Sequence, residues 1–427
     1  MGFPGCLESD KTFTRMSAPT CEIIVGDCLQ SLRGLPDNSV DSIVTDPPYG
    51  LRFMGKAWDY DVPPVAVWAE CLRVLKPGGH LLAFAGTRTQ HRMACRIEDA
   101  GFEIRDMIAW VYASGFPKSL NVSKAIDKAA GAEREVIATG KPVKRMIPGA
   151  DQIEGGSWIK DNGREFVPTE TAPATAAARE WDGWGTALKP ALEPITLARK
   201  PLVGTVAANV LQHGTGALNV DGCRVALDGD YKCEANGRPS QTGLDDNYDP
   251  AAPNQPDTLG RFPANLIHDG SDDVLAAFPN APGQMADAST AADERKNQNC
   301  YGAMRRGRGD EPSADSDNNG AVGFKMKPGA RRGDSGTAAR FFYCAKASAD
   351  DRGEGNKHPT VKPNALMRYL CRLITPPGGT VLDPYLGSGS TAKAALEEGF
   401  SIIGMEIDSG HAETARNRCN VTPGLSL

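Results

Sequence analysis

The sequence lacks the cysteine spacing of a zinc site or a disulfide framework. Its 11 cysteines are scattered and form no C-x-x-C pair, which is typical of reduced thiols in a cytoplasmic protein. No apolar run is long enough to cross a membrane, and no hydrophobic signal region is visible. We therefore expect a cytoplasmic chain with no metal site and no membrane partner.

An excess of positive charge is also absent. The formal net charge of −6 argues against a generally basic surface, although a local basic patch can still bind nucleic acid. One such patch spans residues 295–308, where five basic residues occur with no acid. It lies in a polar, glycine-rich stretch at 284–337, whose composition favours a disordered flap. The patch is either a solvated tract or a flap that contacts phosphates.

What the sequence does contain is an alternation of strands and helices. The chain of 427 residues has room for two or three domains. The alternation predicts a doubly wound, mostly parallel α/β sheet that helices cover on both faces. Strands are predicted at 22–27, 40–45, 80–85, 104–112, 194–198, 339–344, 380–383 and 401–407, and helices at 28–35, 65–75, 90–100, 119–130, 364–374 and 391–398, with Lys76–Gly79 ending the second helix.

Composition also predicts where this regular pattern is interrupted. Glycine, proline, threonine and alanine are frequent between 140 and 189, which indicates a mobile loop. After Pro201 the segments are short and broken by glycine, asparagine and proline. Four regions are predicted: a loose tail at 1–20, one half of the main domain at 21–201 with a mobile loop at about 114–192, an irregular region at 202–340, and the other half at 341–427.

The stretch Ile43–Gly50 reads IVTDPPYG and is the first candidate site. Pro47 and Pro48 cannot donate to a sheet, so the strand ends before them. The turn then presents the Asp46 carboxylate, the Pro47 carbonyl and the Tyr49 ring. A planar partner with an NH2 group would fit, because two acceptors meet its N–H groups and an aromatic face meets its ring. The alternative is an edge-strand turn with an incidental acid.

The stretch Val381–Thr391 predicts a strand, a glycine turn and a helix start. Gly387 and Gly389 let the backbone approach a ligand closely, and the helix N-terminus offers free N–H groups. Glu406 ends the next strand, where a doubly wound fold places an acid that binds ribose hydroxyls. A P-loop lysine is missing, and Ala392 stands where a dinucleotide motif has its third glycine. S-adenosylmethionine, a nucleoside with a small zwitterionic tail, is the favoured ligand.

Together these stretches resemble the β-class of amino-group DNA methyltransferases. Asp46–Tyr49 resembles their catalytic motif, and Asp383–Thr391 their cofactor motif, with Tyr385 where phenylalanine is usual. His358–Pro363 resembles the segment near the methionine end of the cofactor, and Gly26–Cys28 the adenine-side contact. A catalytic motif that precedes the cofactor motif is the circularly permuted order of the β-class.

The resemblance covers roughly residues 21–113 and 341–408. It implies methyl transfer from S-adenosylmethionine to an exocyclic amino group of a base flipped out of double-stranded DNA. The acid at position 46 resembles the adenine-N6 enzymes; serine is commoner in cytosine-N4 enzymes, which stay the alternative. Residues 202–340 are then expected to recognise the target sequence, and the patch at 295–308 to contact phosphates. The implied catalytic residues are Asp46, Pro47, Pro48 and Tyr49, and the implied cofactor-binding residues are Asp27, Cys28, Lys362, Asp383, Tyr385, Gly387, Ser388, Gly389, Ser390, Thr391 and Glu406.

Other activities fit the residues less well. Carbon-5 cytosine methylation uses a cysteine that follows proline, and none of the 11 cysteines does. Protein glutamine methyltransferases usually have asparagine in place of Asp46 and lack this motif order. No RNA-binding module is visible, and the intact motifs argue against a catalytically silent DNA-binding module. A homodimer, a cognate restriction endonuclease and a bacterial or phage origin are left open.

Four side chains have two interpretations each. Asp27 caps the following helix, contacts the cofactor, or does both. Lys362 is either solvated or paired with a carboxylate. Trp181 and Trp184, which are flanked by glycine, either stack on bases or anchor the loop.

Overall fold

The chain divides into two compact units. The first comprises Met1–Asn219, Asn265–Gly270 and Ala345–Leu427, and the second Val220–Ala264 and Ser271–Cys344. Residues 1–17 of the predicted tail and the five basic residues of the patch at 295–308 lie outside the described part of the chain. The computed structural model describes residues 18–51, 59–115, 119–144, 165–226, 260–280, 297–299, 302–304, 336–346, 348–353, 356, 358 and 360–420.

The central strands of the main sheet are buried. The run Val40–Thr45 is buried at every position, as expected for a central strand that is covered on both faces. The strands are β1 (Cys21–Val25), β2 (Val40–Thr45), β3 (Leu75–Phe84), β4 (Glu103–Val111), β5 (Val136–Thr139), β6 (Val143–Lys144), β7 (Glu165–Phe166), β8 (Thr169–Thr171), β9 (Leu192–Arg199), β10 (Leu266–His268), β11 (Asn297–Asn299), β12 (Gly302–Met304), β13 (Tyr343–Cys344), β14 (Thr380–Asp383) and β15 (Ser401–Glu406).

Helices pack apolar faces on the sheet. The helix Val65–Val74 buries Val67, Trp68, Cys71 and Val74, a spacing that places these side chains on one face. None of the helices in the described ranges is long and apolar enough to cross a membrane. The helices are α1 (Cys28–Arg33), α2 (Val65–Val74), α3 (Gln90–Asp99), α4 (Val122–Ala129), α5 (Ala176–Glu180), α6 (Val206–His213), α7 (Asp272–Ala277), α8 (Asn364–Ile374), α9 (Ser390–Glu397) and α10 (Ser409–Arg418).

The sheet of the first unit is doubly wound and mostly parallel, which confirms the predicted fold class. Its strands follow the order β1-β15-β14-β2-β3-β9-β4-β10. Neighbouring strands are parallel except where β9 pairs with β3 and β4. The two motif strands, β2 and β14, pair directly and in parallel. Because β9 is antiparallel, its first residues lie at the edge where β3 and β4 end.

The chain leaves β2 and β14 in opposite directions. From β14 it crosses through α9 to β15 on one side, and from β2 it crosses through α2 to β3 on the other side. Right-handed crossovers place these two helices on opposite faces of the sheet. The carboxyl ends of β2 and β14 therefore border the crevice in which doubly wound folds bind ligands.

Helix α2 ends at Val74, one residue before its predicted end, but the strand after it begins earlier than predicted. Lys76–Gly79, predicted to stop a helix, belongs to the start of β3, whose pairing with β2 is irregular between Val40 and Ser42. The Lys76 ammonium reaches Asp41 at 2.6 Å, and this ion pair holds the irregular segment against the sheet. Glycine and proline here mark a distortion within a strand and not a turn.

The stretch at 114–192 contains more regular structure than the predicted loop. Helices α4 and α5 are joined by Asp127, which is buried. Its carboxylate accepts hydrogen bonds from Arg134 at 2.6 Å and from the backbone N–H groups of Ala174 and Thr175 at 3.0 Å. These two helices are thus held together by hydrogen bonds to one buried acid. The apolar periodicity from which packed helices are usually predicted is missing.

Trp181 and Trp184 close this stretch without being buried. Their rings meet edge to face with centroids 5.1 Å apart, and 42% and 60% of their surfaces are exposed. The indoles pack on each other at the surface, so they contribute little to anchoring the loop in the protein interior.

The second unit is described only in part. The predicted strand at 339–344 is wrong over its first half, because Ala338–Phe341 forms a short 3-10 helix and only Tyr343–Cys344 is extended. The hydroxyl of Thr337 accepts from the N–H of Ala339 and caps this turn. The aromatic residues that follow are typical of a strand, so the cap is not evident from the sequence. The rings of Phe278 and Phe342 pack with centroids 5.6 Å apart.

Candidate active site

A direct hydrogen bond joins the two sequence motifs. Thr45, the last residue of β2, donates its hydroxyl to the Asp383 carboxylate at the end of β14 at 2.7 Å. Both side chains are buried. Asp46 follows Thr45 directly, so the two predicted acids lie at the same edge of the sheet although 337 positions separate them in the sequence.

Asp46 belongs to a compact cluster of charged and phenolic side chains. The Tyr49 hydroxyl donates to its Oδ1 at 2.7 Å, and the Lys362 ammonium lies 3.0 Å from its Oδ2. Lys362 also lies 2.9 Å from Glu193 and donates to the Tyr49 oxygen at 3.0 Å. The structure thus brings together predicted residues of the catalytic and cofactor groups.

Lys362 is paired with carboxylates and is not solvated. Burial alone would lower the pKa of its ammonium, but the charges of Asp46 and Glu193 outweigh burial and raise that pKa. The ammonium also lies 4.8 Å from the centre of the Phe84 ring, which adds a cation–π contact. Lys362 therefore stays protonated and holds two acids together.

The turn after Asp46 is fixed by a second, buried acid. Asp59 accepts from the N–H groups of Gly50 and Leu51 at 2.8 and 3.1 Å and is 2% exposed. Pro47 is buried, while Pro48 and Tyr49 are half-buried. Burial and the two neighbouring acids raise the pKa of the Tyr49 phenol, so its proton stays on the oxygen.

Asp383 is the most deeply buried acid of the site. Burial raises its pKa to about 6, against the lowering effect of hydrogen bonds from Thr391, Thr45 and the N–H of Tyr385, and the nearby charge of Asp46 raises it further. The Tyr385 N–H donates to Asp383 at 3.0 Å. This acid links the strand, the turn and the start of α9.

We expect Asp383 to make the folded chain more stable in mild acid. Because its folded-state pKa of about 6 exceeds its usual value of 3.8, folding favours the protonated form. This contribution, roughly 2–3 kcal/mol, is fully present below about pH 4 and is lost as the pH rises through about 6. Urea unfolding of wild type and Asp383→Asn at several pH values measures it. A free-energy difference between the two proteins that does not change with pH would contradict the expectation.

Gly387 and Gly389 shape the turn between β14 and α9. Their φ angles are +56° and +84°, a region that favours glycine. A Cβ atom at position 389 would lie 2.8 Å from that of Ala415. At position 387 it would lie 3.1 Å from Nε2 of His358. Both glycines are therefore required by backbone conformation and by close packing.

Glu406, at the end of β15, fastens this turn. Its two carboxylate oxygens accept from the N–H groups of Gly387 at 2.9 Å and Asp408 at 2.8 Å. The next strand, β1, ends beside it, where the N–H of Gly26 donates to the Glu406 carbonyl at 2.9 Å. A carboxylate oxygen can accept more than one bond, so Glu406 retains capacity for ligand hydroxyls.

Asp27, Cys28 and Tyr385 continue along the same edge. Asp27 is exposed, and its carboxylate caps α1 by accepting from the N–H of Gln30 at 3.0 Å, which confirms the capping interpretation. The hydroxyl of Tyr385 hydrogen-bonds to the Cys28 sulfur, and burial raises the pKa of both groups. Tyr385 therefore joins two of the predicted cofactor segments. Direct contact of these residues with a cofactor stays a prediction.

The hydroxyl side chains of the turn are turned toward the protein. Ser388 accepts from the Asn356 amide at 3.0 Å, and the Arg418 guanidinium donates to the Ser388 carbonyl at 2.7 Å and to the Ser390 hydroxyl at 3.4 Å. Thr391 is buried and bonds to Asp383. The structure does not bring these hydroxyls to the Asp46 cluster, and their contact with a cofactor stays a prediction.

Three residues of the site have no counterpart among the predicted ones. They are Glu193, Asp59 and Tyr112, whose hydroxyl donates to Glu193 at 3.3 Å. The sequence offers one weak signal for Glu193, an acid at the start of an otherwise apolar strand. Among the residues that the structure describes, no cluster of His, Cys, Asp and Glu could hold a metal ion.

Comparison with known proteins finds a family model and several relatives. The model of the N6/N4 DNA methylases matches residues 40–133 and 294–417, which is just over half of the chain. The DNA adenine methyltransferase YhdJ of Escherichia coli (strain K12) is 38% identical over 73 residues, 17% of this chain and 25% of YhdJ. The type II methyltransferase M.HpaI of Haemophilus parainfluenzae is 32% identical over 118 residues, 25% of this chain and 36% of M.HpaI. The chain thus aligns with well under half of either relative.

Solved structures with a similar arrangement include M1.HpyAVI in its SAM complex and the cytosine-N4-specific PvuII DNA methyltransferase. The first has a TM-score of 0.38 and 14% identity, with coverage of 94% of this chain and 100% of the other. The second has a TM-score of 0.41 and 13% identity, with coverage of 96% and 91%.

Proposed function

The chain belongs to the N6/N4 DNA methylase family, and we propose that it transfers a methyl group from S-adenosylmethionine to N6 of an adenine in double-stranded DNA. The main support for this proposal is that Asp46 lies beside Asp383. Asp46 can accept a hydrogen bond from an amino group, and Asp383 ends the strand that leads into the glycine turn. The acid at position 46 resembles the adenine enzymes of the family. The named relative that acts on adenine supports the same choice.

The residues at the ends of β1, β14 and β15 fit S-adenosylmethionine. The absence of a side chain at Gly387 lets the backbone turn with a φ of +56° beside the His358 ring. The Glu406 carboxylate would accept from ribose hydroxyls, and Asp27 and Cys28 would lie on the adenine side. The cofactor supplies a methyl carbon made electrophilic by a sulfonium centre. Acidic side chains along this edge suit its positive charge.

Asp46 and Pro47 prepare the target nitrogen. An exocyclic amino group is a poor nucleophile, because its lone pair is conjugated with the ring. Hydrogen bonds from that group to the Asp46 carboxylate and the Pro47 carbonyl favour a more pyramidal nitrogen and stabilise the positive charge that develops on it. The base leaves the duplex to reach them, and the half-buried Tyr49 ring offers it a stacking face.

The target nitrogen gains one bond and loses one proton in the transfer. Bound S-adenosylmethionine would supply the methyl carbon, and N6 would form a bond to it as the carbon–sulfur bond breaks and its electron pair goes to sulfur. The nitrogen then gives up one proton, for which the Asp46 carboxylate is the nearest acceptor. Holding nitrogen and methyl carbon in line supplies much of the rate increase.

The second unit is the proposed site of target recognition. Within it, the Arg340 guanidinium lies 4.4 Å from the centre of the Phe341 ring, and Phe262 is 65% exposed. Arginine and exposed aromatic side chains are the groups that read and stack on bases. The basic patch at 295–308 adds charges that would contact phosphates.

Methyl transfer to unmodified DNA tests the proposed function. The chain is incubated with tritiated S-adenosylmethionine and duplex DNA from a methylation-deficient host, and the DNA is digested to nucleosides. We expect label in N6-methyldeoxyadenosine. Long-read sequencing of DNA from a host that expresses the chain then identifies the modified position within its sequence context.

Two outcomes would change the conclusion. Label in N4-methyldeoxycytidine would overturn the choice of adenine and retain the family activity. No label in any nucleoside, with cofactor binding intact, would indicate a DNA-binding protein without methyltransferase activity.

A further inference from the structure

Glu193 places a second carboxylate beside Asp46. It is the second residue of β9, which runs antiparallel and therefore begins where β3 and β4 end. Its Oε2 receives the Lys362 ammonium at 2.9 Å and the Tyr49 hydroxyl at 3.0 Å. The Tyr112 hydroxyl donates to its Oε1 at 3.3 Å. Both oxygens are thus engaged, and the side chain is only 19% exposed.

The Tyr49 hydroxyl has one proton and two carboxylates within reach. Its oxygen lies 2.7 Å from Asp46 and 3.0 Å from Glu193. Because the phenol has a single proton, it donates to only one of the acids at a time, while its oxygen accepts a hydrogen bond from Lys362 at 3.0 Å. Rotation about the C–O bond carries the proton from one acid to the other without movement of any heavy atom.

Each oxygen of Asp46 already receives one donor in the described arrangement. Its Oδ1 receives the Tyr49 hydroxyl and its Oδ2 the Lys362 ammonium. A target amino group that enters the site would share these oxygens with both donors, which weakens the hydrogen bond that it makes. If the Tyr49 proton turns toward Glu193, Oδ1 is released and can accept from the amino group.

We propose that Glu193 is a positioning residue for methyl transfer. It takes over the Tyr49 hydroxyl and shares the Lys362 ammonium, which leaves Asp46 able to accept from the target amino group. This inference rests on the proposed function and assigns a task to a residue outside both sequence motifs.

The charge of the cluster supports the same assignment. The Lys362 ammonium has three N–H donors, and Asp46, Glu193 and the Tyr49 oxygen lie within 3.0 Å of it. Two carboxylates and one ammonium leave one negative charge. Replacing Glu193 with glutamine removes that charge, so Lys362 would bind Asp46 alone and compete more strongly with the target amino group.

The test compares wild type with Glu193→Gln in single-turnover methyl transfer on duplex DNA. We expect the rate constant of the variant to fall about 100-fold. The dissociation constant for S-adenosylmethionine should stay within about threefold of wild type, because Glu193 acts on the target side. Calorimetric titration with S-adenosylmethionine measures the second quantity.

A double-mutant cycle separates positioning from general support. In a Tyr49→Phe background the hydroxyl is missing, so Glu193→Gln should cost about tenfold less than in wild type. A merely structural role would cost the same in both backgrounds. Glu103→Gln is the matched control. Glu103 pairs with Arg199 at 2.6 Å across β4 and β9, at the end of these strands opposite to Glu193. The rate constant of this variant should equal that of wild type.

Several results would overturn the inference. They are an unchanged rate in Glu193→Gln, an equal loss in both backgrounds, and a variant that fails to fold or loses cofactor affinity in step with its rate. If the wild-type chain itself transfers no methyl group to any DNA, the proposed function fails first and the inference fails with it.

Discussion

Replacing Asp46 with alanine is expected to lower the rate of methyl transfer by about 10³- to 10⁴-fold. The target amino group loses its anionic acceptor and the nitrogen its nearest proton acceptor. The fold should survive, because Lys362 keeps Glu193 as a partner at 2.9 Å. Affinity for S-adenosylmethionine should stay within about threefold of wild type, since the turn at 387–389 is fastened by Glu406 and not by Asp46.

Transfer assays and calorimetric titration on the same preparation measure the two quantities. Asp37→Ala is a suitable control, because Asp37 is an exposed acid paired with Arg73 at 2.5 Å, and removing it should leave the rate unchanged. Wild-type methylation of duplex DNA by Asp46→Ala would show that the motif has been assigned wrongly.

Replacing Lys362 with methionine is the second change with a large expected effect. It leaves Asp46 and Glu193 facing each other without the cation that joins them. Removing one partner of a buried ionic cluster typically costs about 3–5 kcal/mol of unfolding free energy. Methyl transfer should fall with it, because Asp46 loses its position.

Chemical unfolding across a range of pH values measures this deficit. Lys393→Met provides the control, because Lys393 lies 3.9 Å from Glu397 on the outer side of α9 and is about one-third exposed. That substitution should change stability by less than about 1 kcal/mol. Equal stability losses in the two variants would contradict the ionic role of the cluster.

The sequence predicts the core of this site because its signals are local. Apolar runs that end in an acid, followed by prolines or glycines, mark β2 and β14 and their carboxyl ends. The rule that parallel strands end at one edge then brings Asp46 and Asp383 together. The cap at Asp27 and the helix Asn364–Ile374 follow from the same kind of local pattern.

Glu193 could not be predicted in this way. It lies 144 positions from Tyr49, and an acid at the start of β9 indicates no more than a strand boundary. Its role depends on the antiparallel direction of β9 and on insertion of that strand between β3 and β4. Both are decided by packing across the sheet and not by nearby residues. The same holds for Asp127, whose backbone donors lie 47 and 48 positions away.

The pairing of β1 with β15 has a consequence for biosynthesis. The first strand of the sheet in chain order, β1, pairs with the last, β15, with Val25 opposite Glu406. Strand β2 likewise pairs with β14, which is translated much later. Contacts between such distant segments form late and slowly. A nascent polypeptide on the ribosome therefore exposes Asp46 long before Lys362 or Asp383 has been translated. The cluster around Asp46 is therefore incomplete until these late segments have been translated, and a prematurely terminated chain lacks it.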